Sequence, residues 1–317
     1  MACREAASKT HDTASSLIVV GSIALDTVST PGAHDRIGLG GSATYFSAAA
    51  GLLCCPEVIA VLGDDFDRTQ LNFLVERGVD LSSVYTKQGK TFQWQGTYGD
   101  DLAEATTLRT DLNVFADFEP NLSDRQKNCD FLFLANIIPH LQLKVVEQAK
   151  AKFVAADTMN LWINTANADL KRVLSMIDML VLNEAEARLL SEEKSIVAAA
   201  KRIQSFGPQT VVIKRGVYGA FMMHKDAIFS CPAFPTMETI DPTGCGDTFA
   251  GGLIGTLARH GEVNDETLRE GIVVGTALAS FTIEGYSLDG LKRATVESLR
   301  ERYRAVEAMT KFGSFDL

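Results

Sequence analysis

The sequence predicts an α/β fold, a doubly wound and mostly parallel sheet flanked by helices, with a small β flap set into it. Three observations predict it. Short apolar runs at 17–20, 58–62, 131–135, 153–156, 179–182 and 211–213 lack alternation and so read as strands buried on both faces. Between them, 45–53, 68–77, 141–152, 169–176 and 195–206 carry apolar residues at helical spacing, the strand–helix–strand rhythm of such sheets. From Val84 to Phe115 the rhythm breaks: TFQWQGTYG and EATTLRTDLNVF alternate, are rich in β-formers and are flanked by turn residues. That segment predicts either a flap that closes over a ligand and excludes water, or an ordinary surface hairpin.

In chain order, residues 1–16 are polar and read as a flexible tail. Residues 17–317 read as one domain carrying the flap at about 84–115, since no repeat, low-complexity block or Pro-rich linker divides them. The apolar LIVVG after the tail is too short, and too soon followed by Asp26, for a signal peptide. No apolar run approaches the roughly 18 residues that a membrane helix needs. Six cysteines, none in a CxxC pair or at metal-ligand spacing, read as reduced thiols, and a cytoplasmic location follows as the expectation. A formal net charge of −10 with no Lys/Arg stripe argues against a nucleic-acid partner. It does not argue against a phosphate ligand, which backbone amides at a helix start can hold together with Mg²⁺.

The most informative stretch is DPTGCGDTFAGG, from Asp241 to Gly252. Pro242 stops any upstream helix, the glycines permit close backbone approach, and Phe249, Leu253 and Leu257 recur at helical spacing, so a helix begins near Asp247. The N–H groups of Gly244, Cys245 and Gly246 then lie at a positive helix end and suit the charge on a transferring phosphoryl group. Cys245 lends only its backbone to this and reads as a small packing residue. Asp247, held ionised by the helix terminus, is placed to accept the proton of a hydroxyl attacking a γ-phosphate in line. A plain helix cap is the ordinary reading of an Asp before a helix; the glycines and Asp241 around it turn the balance towards a base. No GxxxxGK followed by Ser or Thr occurs, so phosphate binding falls to this loop.

DPTGCGDTFAGG resembles the C-terminal signature of the ribokinase-like (PfkB) kinases, with Cys where Ala is common. Gly40-Gly41 in GLGGSATYFSAAAG resembles that family's N-terminal diglycine motif, and VLNEAEA and VIKRGVYGAF follow in the family's order, so the likeness runs from Gly21 to about Ser287. It implies a ribokinase-like kinase fold with a β lid, using ATP and Mg²⁺ to phosphorylate a hydroxyl, a primary alcohol, of a sugar or sugar-like small molecule. Asp247 matches the family's base and 244–246 its anion hole. Asn183 and Glu186 match the element that organises Mg²⁺ and phosphate, largely through water. An Asn and a Glu just past a strand end stand where a parallel sheet presents ligand-binding groups, although a plain polar helix start looks the same. Lys214, Gly216 and Gly219 resemble a nucleotide-binding turn, and equally the glycines of a hairpin. Asp241 and Thr243, with carbonyls near Ser280 and Gly285, match positions that hold K⁺ in many relatives. Some relatives dimerise through the lid, so a homodimer is implied by the resemblance alone.

At the substrate end, Asp26 in GSIALD matches the family's acidic residue for substrate hydroxyls, and a carboxylate can accept from two adjacent hydroxyls of a sugar. A loop Asp capping a turn is the alternative. Where many sugar kinases have Asn, four residues beyond Gly41, stands Tyr45, which removes an amide and adds an aromatic face. Trp94 with its neighbours Phe92 and Gln93, and Asp157 and Asn160 past another strand, are candidates to complete a pocket. A nucleoside is the competing substrate, its base held by the flap aromatics. From a different class, a non-catalytic sugar- or nucleotide-binding regulator on this fold would be expected to lack Asp247 or the glycine loop, and both are present. GLGG follows no apolar strand directly and lacks the full GxGxxG fingerprint, which argues against a dinucleotide-dependent dehydrogenase.

Overall fold

Alternation within the buried strands decides the architecture. In the computed structural model, which describes residues 15–313, successive side chains of each apolar run enter different cores. Leu17, Val19, Phe131, Phe133, Met179 and Val181 face one core, while Ile18, Val20, Leu132, Leu134, Leu180 and Leu182 face the other. A run that is apolar at every position is what a sheet covered on both faces requires.

The strands are β1 (Leu17–Val20), β2 (Ala24–Thr30), β3 (Ala33–Gly40), β4 (Glu57–Gly63), β5 (Val84–Lys87), β6 (Phe92–Tyr98), β7 (Ala105–Asp111), β8 (Phe131–Leu134), β9 (Phe153–Asp157), β10 (Met179–Asn183), β11 (Thr210–Lys214), β12 (Ala220–His224) and β13 (Ala227–Cys231). Nine of them form one sheet in the order β13-β12-β11-β10-β9-β8-β1-β4-β5, parallel up to the antiparallel pairs β11–β12 and β12–β13. Helices Ser42–Ala50, Cys245–His260 and Asp265–Thr282 pack into the first core; Pro139–Val146, Asn167–Leu174, Glu184–Ser191 and Ile196–Gln204 pack into the second. The chain leaves β1 towards β4 on one side and returns to β8 on the other, so the strand order switches between β8 and β1, where open α/β sheets bind ligands at their carboxyl ends.

Every expected strand and helix forms, with shifted ends: 68–77 begins as a 3₁₀ turn (Arg68–Leu71), and the helix expected to reach 152 stops at Val146. The flap is the element the sequence reading drew too narrowly. It is a four-stranded sheet in the order β3-β2-β6-β7, and only β6 and β7 come from 84–115, while β5 joins the edge of the large sheet beside β4. Ala24, Asp26, Val28 and Thr30 are buried in alternation with half-buried neighbours, and the chain turns at Pro31-Gly32, so 24–40 is itself a hairpin. A lone hairpin is marginal in water; parallel pairing of β2 with β6 joins two hairpins into a stable sheet.

The tail expected at 1–16 lies outside the described residues up to position 14. Ser16 is tied down, its backbone N–H donating to Asp130 Oδ2 at 2.8 Å and its hydroxyl to the same oxygen at 2.9 Å. Among the described residues no helix is long and apolar enough to cross a membrane.

Candidate active site

Three polar residues end neighbouring parallel strands at one edge of the large sheet: Asp157 on β9, Asn183 on β10 and Lys214 on β11, the last two being register partners. Lys214 Nζ lies 2.8 Å from Asp157 Oδ2, with both side chains largely buried. Asp157 is held from its own strand, its Oδ1 accepting from the Thr158 N–H at 2.7 Å. Burial works against the Lys214 ammonium, but Asp157, Glu186 and Asp247 around it outweigh burial and raise its pKa above the ordinary value.

Asn183 and Glu186 do form a helix start. Asn183 Oδ1 accepts from the Glu186 N–H, and Glu186 Oε2 accepts from the Asn183 N–H, each at 2.7 Å, a reciprocal cap on helix Glu184–Ser191. That cap also fixes a buried carboxylate beside the strand ends. Burial raises the Glu186 pKa to about 7 against the pull of Lys214, and its Oε1 has no donor among the described residues.

The helix opened by the DPTGCGD motif runs from Cys245 to His260, capped by Gly244 at a left-handed φ of 75°. A β-carbon on Gly244 would run into the ring of Tyr45, so glycine is required there for two reasons. The N–H groups of Gly244 and Gly246 have no acceptor among the described residues, whereas that of Cys245 donates to the Pro242 carbonyl at 3.1 Å. Of the three N–H groups expected to face an anion, that of Cys245 is therefore engaged within the turn that tightens the loop. Its thiol is a packing group, pushed up in pKa by burial.

Asp247 stands in the first turn of that helix, and the helix end is not the only influence on its carboxylate. Burial, with Asp157 nearby, outweighs Lys214 and lifts its pKa to about 8. Asp26 is likewise raised to about 7, by burial first, with the Gly41 N–H working the other way and Asp241 adding to the rise. Gly40 lies so close under the Asp26 carboxylate that no β-carbon fits between them, and Gly41, at φ 95°, turns the chain from β3 into helix Ser42–Ala50. The diglycine thus makes room for Asp26.

The remaining expected contacts are placed by the fold. Tyr45 is 1% exposed and packs beneath Gly244 rather than offering an aromatic face, its phenol pushed well up by burial and by Asp26 and Asp241. Asn160 is exposed at the start of helix Asn160–Thr165 and hydrogen-bonds to none of these residues. Gly216 (φ 53°) and Gly219 (φ 84°) are hairpin glycines between β11 and β12, closed by the Arg215 N–H donating to the Gly219 carbonyl at 2.7 Å. Trp94 is the register partner of Asp26 across β2 and β6, with its Nε1–H donating to Thr107 Oγ1 at 3.2 Å.

The sequence reading missed Tyr98, Tyr286 and Ser287. Tyr98 lies four residues after Trp94 on β6, hence on the same face, and its hydroxyl accepts from Thr243 Oγ1 at 3.2 Å. Period-two counting from Trp94 would have found it. Tyr286 sits under the Arg36 guanidinium, and its hydroxyl is 3.2 Å from Thr30 Oγ1; Ser287 donates its hydroxyl to the Leu39 carbonyl. Only the fold brings that loop against β2 and β3.

These groups suit a nucleotide and a divalent cation. Gly244 and Gly246 N–H groups and the spare protons of Lys214 can take phosphate oxygens, and the uncommitted Glu186 oxygen, a hard carboxylate donor, suits Mg²⁺. At the positions named for K⁺, the side chains of Asp241 and Ser280 hold hydrogen bonds within the chain. Asp241 already accepts the Thr243 N–H at 2.9 Å and the Ser287 N–H at 3.1 Å, and the Ser280 hydroxyl accepts from Arg302 and donates to the Ala277 carbonyl, each at 2.6 Å. Gly285 is packed against Gly290.

The cytidine kinase of Thermococcus kodakarensis is 27% identical to this chain over 264 residues, 81% of this chain and 93% of that protein. A nucleoside kinase of Burkholderia thailandensis, solved with inosine, superposes with a TM-score of 0.76 at 21% identity over 92% of this chain and 99% of that one. A putative ribokinase II from E. coli, solved with ATP and Mg²⁺, superposes with a TM-score of 0.75 at 19% identity over 92% and 99%. Identities this low establish a common fold. The sequence profile of the pfkB family carbohydrate kinases matches residues 15–291, from before β1 to beyond the DPTGCGD helix, and the chain belongs to that family.

Proposed function

We propose that this kinase transfers the γ-phosphoryl group of ATP to a primary hydroxyl of a ribosyl compound, a nucleoside in first place. One observation carries the choice of substrate: Asp26 and Trp94 are register partners on one face of the small sheet, in adjacent strands about 5 Å apart. A carboxylate there accepts from the vicinal hydroxyls of a ribose, and an indole beside it offers a face to a base. Tyr98, on the same face, reaches the motif loop at Thr243, which supports the small sheet as the lid and sets Asp26 towards Asp247.

In the reaction the acceptor hydroxyl gives its proton to Asp247 as its oxygen attacks the γ-phosphorus. The bond from that phosphorus to the bridging oxygen breaks, and its electron pair leaves on ADP. The N–H groups of Gly244 and Gly246 donate to the phosphoryl oxygens as charge gathers there. Glu186, oriented by Asn183, would hold Mg²⁺, which when bound neutralises charge on the β- and γ-oxygens. No step is assigned to K⁺.

Release of ADP from Mg²⁺·ATP, measured across nucleosides, pentoses and hexoses, tests the assignment. We expect kcat/KM for the best nucleoside to exceed that for free ribose by about tenfold or more, a gap that Trp94→Ala narrows. A free sugar preferred over every nucleoside would overturn the nucleoside reading.

A further inference from the structure

Lys214 is surrounded by groups that ask for one thing the protein does not supply. An ammonium has three protons to donate, and among the described residues Lys214 gives one, to Asp157. Its side chain is 17% exposed, so the other two face little water. Nζ lies 2.9 Å from the point where a β-carbon on Gly246 would stand, so the ammonium rests against the residue whose own N–H also lacks an acceptor. Donors left unpaired away from water cost free energy, and here a largely buried ammonium and a partly buried N–H stand side by side at the start of one helix. An anion at that point would satisfy both. Asp247 also bears on Lys214, which places that point beside the reacting hydroxyl.

We infer that Lys214 donates directly to the γ-phosphoryl group of ATP during transfer, and that Asp157 is a positioning residue holding the ammonium beside Gly246. This rests on the phosphotransfer reading above. Asp157 is suited to hold rather than to bind substrate, because each of its oxygens is engaged. Oδ1 accepts from Thr158, Oδ2 from Lys214, and its main-chain carbonyl from Gln142 Nε2 at 2.9 Å. Gln142 Nε2 also donates to the carbonyl of Ala135 at 3.0 Å, which ties the ends of β8 and β9 together beneath the carboxylate. A four-carbon stem is flexible, and a fixed carboxylate at its tip decides where the charge sits. Lys214 keeps its protons throughout, since the acceptor's proton goes to Asp247.

Calorimetric titration of the purified protein with Mg²⁺·ADP and with Mg²⁺·AMP-PNP tests this without any acceptor. For Lys214→Met we expect affinity for AMP-PNP to fall by about tenfold or more and affinity for ADP to stay within about twofold. Equal weakening of both nucleotides, or of neither, overturns the assignment to the γ-position. With a working acceptor, kcat of Lys214→Met falls about 100-fold or more at unchanged acceptor KM, and Lys214→Arg recovers part of it. The isosteric Asp157→Asn, which also serves if Lys214→Met fails to fold, loses about tenfold in kcat with ADP affinity kept; wild-type kcat in that variant removes Asp157 from its role. An enzyme that binds both nucleotides yet phosphorylates neither nucleosides nor sugars refutes the substrate reading and leaves the calorimetric result standing.

Discussion

Asp247 and Asp26 meet the same conflict, in which a carboxylate needed for chemistry is buried where ionisation is costly. With Asp247 at about 8 in the folded chain against 3.8 when exposed, and Asp26 at about 7, the folded state keeps protons that the unfolded state releases. Unfolding between those values therefore releases protons, so stability falls as pH rises from about 4 and levels off above about 8. Thermal melts of the ligand-free enzyme should give a lower midpoint at pH 8 than at pH 6, with a smaller difference in Asp247→Asn. A midpoint rising over that range would contradict the burial of these groups. The same variant should lose roughly 10²- to 10⁴-fold in kcat while binding Mg²⁺·ADP normally, because a base acts in the reaction rather than in ground-state binding.

Among the elements, the small sheet is held against the motif loop and the 283–287 loop by polar contacts. Asp241 fastens the motif loop through Thr243 and the 283–287 loop through Ser287, and those loops in turn hold Tyr98 on β6, Leu39 on β3 and Thr30 on β2. Tyr98→Phe removes the bond between Tyr98 and Thr243 while keeping the ring. A net hydrogen bond of about 1 kcal/mol predicts an acceptor KM raised about fivefold, with the melting temperature nearly unchanged. An unchanged KM would show that this contact does not hold the lid over substrate. The β6–β7 hairpin was legible from its β-rich alternation. Its partner hairpin at 24–40 was not, because Asp26 reads as a loop residue until β6, some 60 residues later, supplies a strand for it to pair with. Likewise NExE reads as a helix cap or as a cation site, and it is both a cap and a buried carboxylate.

At the scale of the molecule, the two cores hold the sheet rigid, while the site draws on strand ends, two loops and a helix start. Ligand that binds only this assembled arrangement stabilises the whole. Mg²⁺·ATP at about 100 times its Kd should add about 2.7 kcal/mol and raise the thermal midpoint by roughly 5 °C. Scanning calorimetry at increasing nucleotide checks this, and a midpoint indifferent to Mg²⁺·ATP would mean that the site does not bind nucleotide as described.

What the sequence determined by itself was local or periodic. Apolar runs without alternation required a sheet covered on both faces, and glycines ahead of Asp247 required a tight turn into a helix. These follow from neighbours within a few residues, so no partner need be known. The tertiary structure decided everything that depends on which distant groups share a dry space. It withdrew Tyr45 beneath Gly244, spent the Cys245 N–H on a turn, satisfied Asp241 with backbone donors, and set Lys214 against Gly246. It also raised the Asp247 pKa above what its place at a helix start suggests, because desolvation depends on how many atoms of the whole fold stand between a carboxylate and water, and no stretch of sequence records that number.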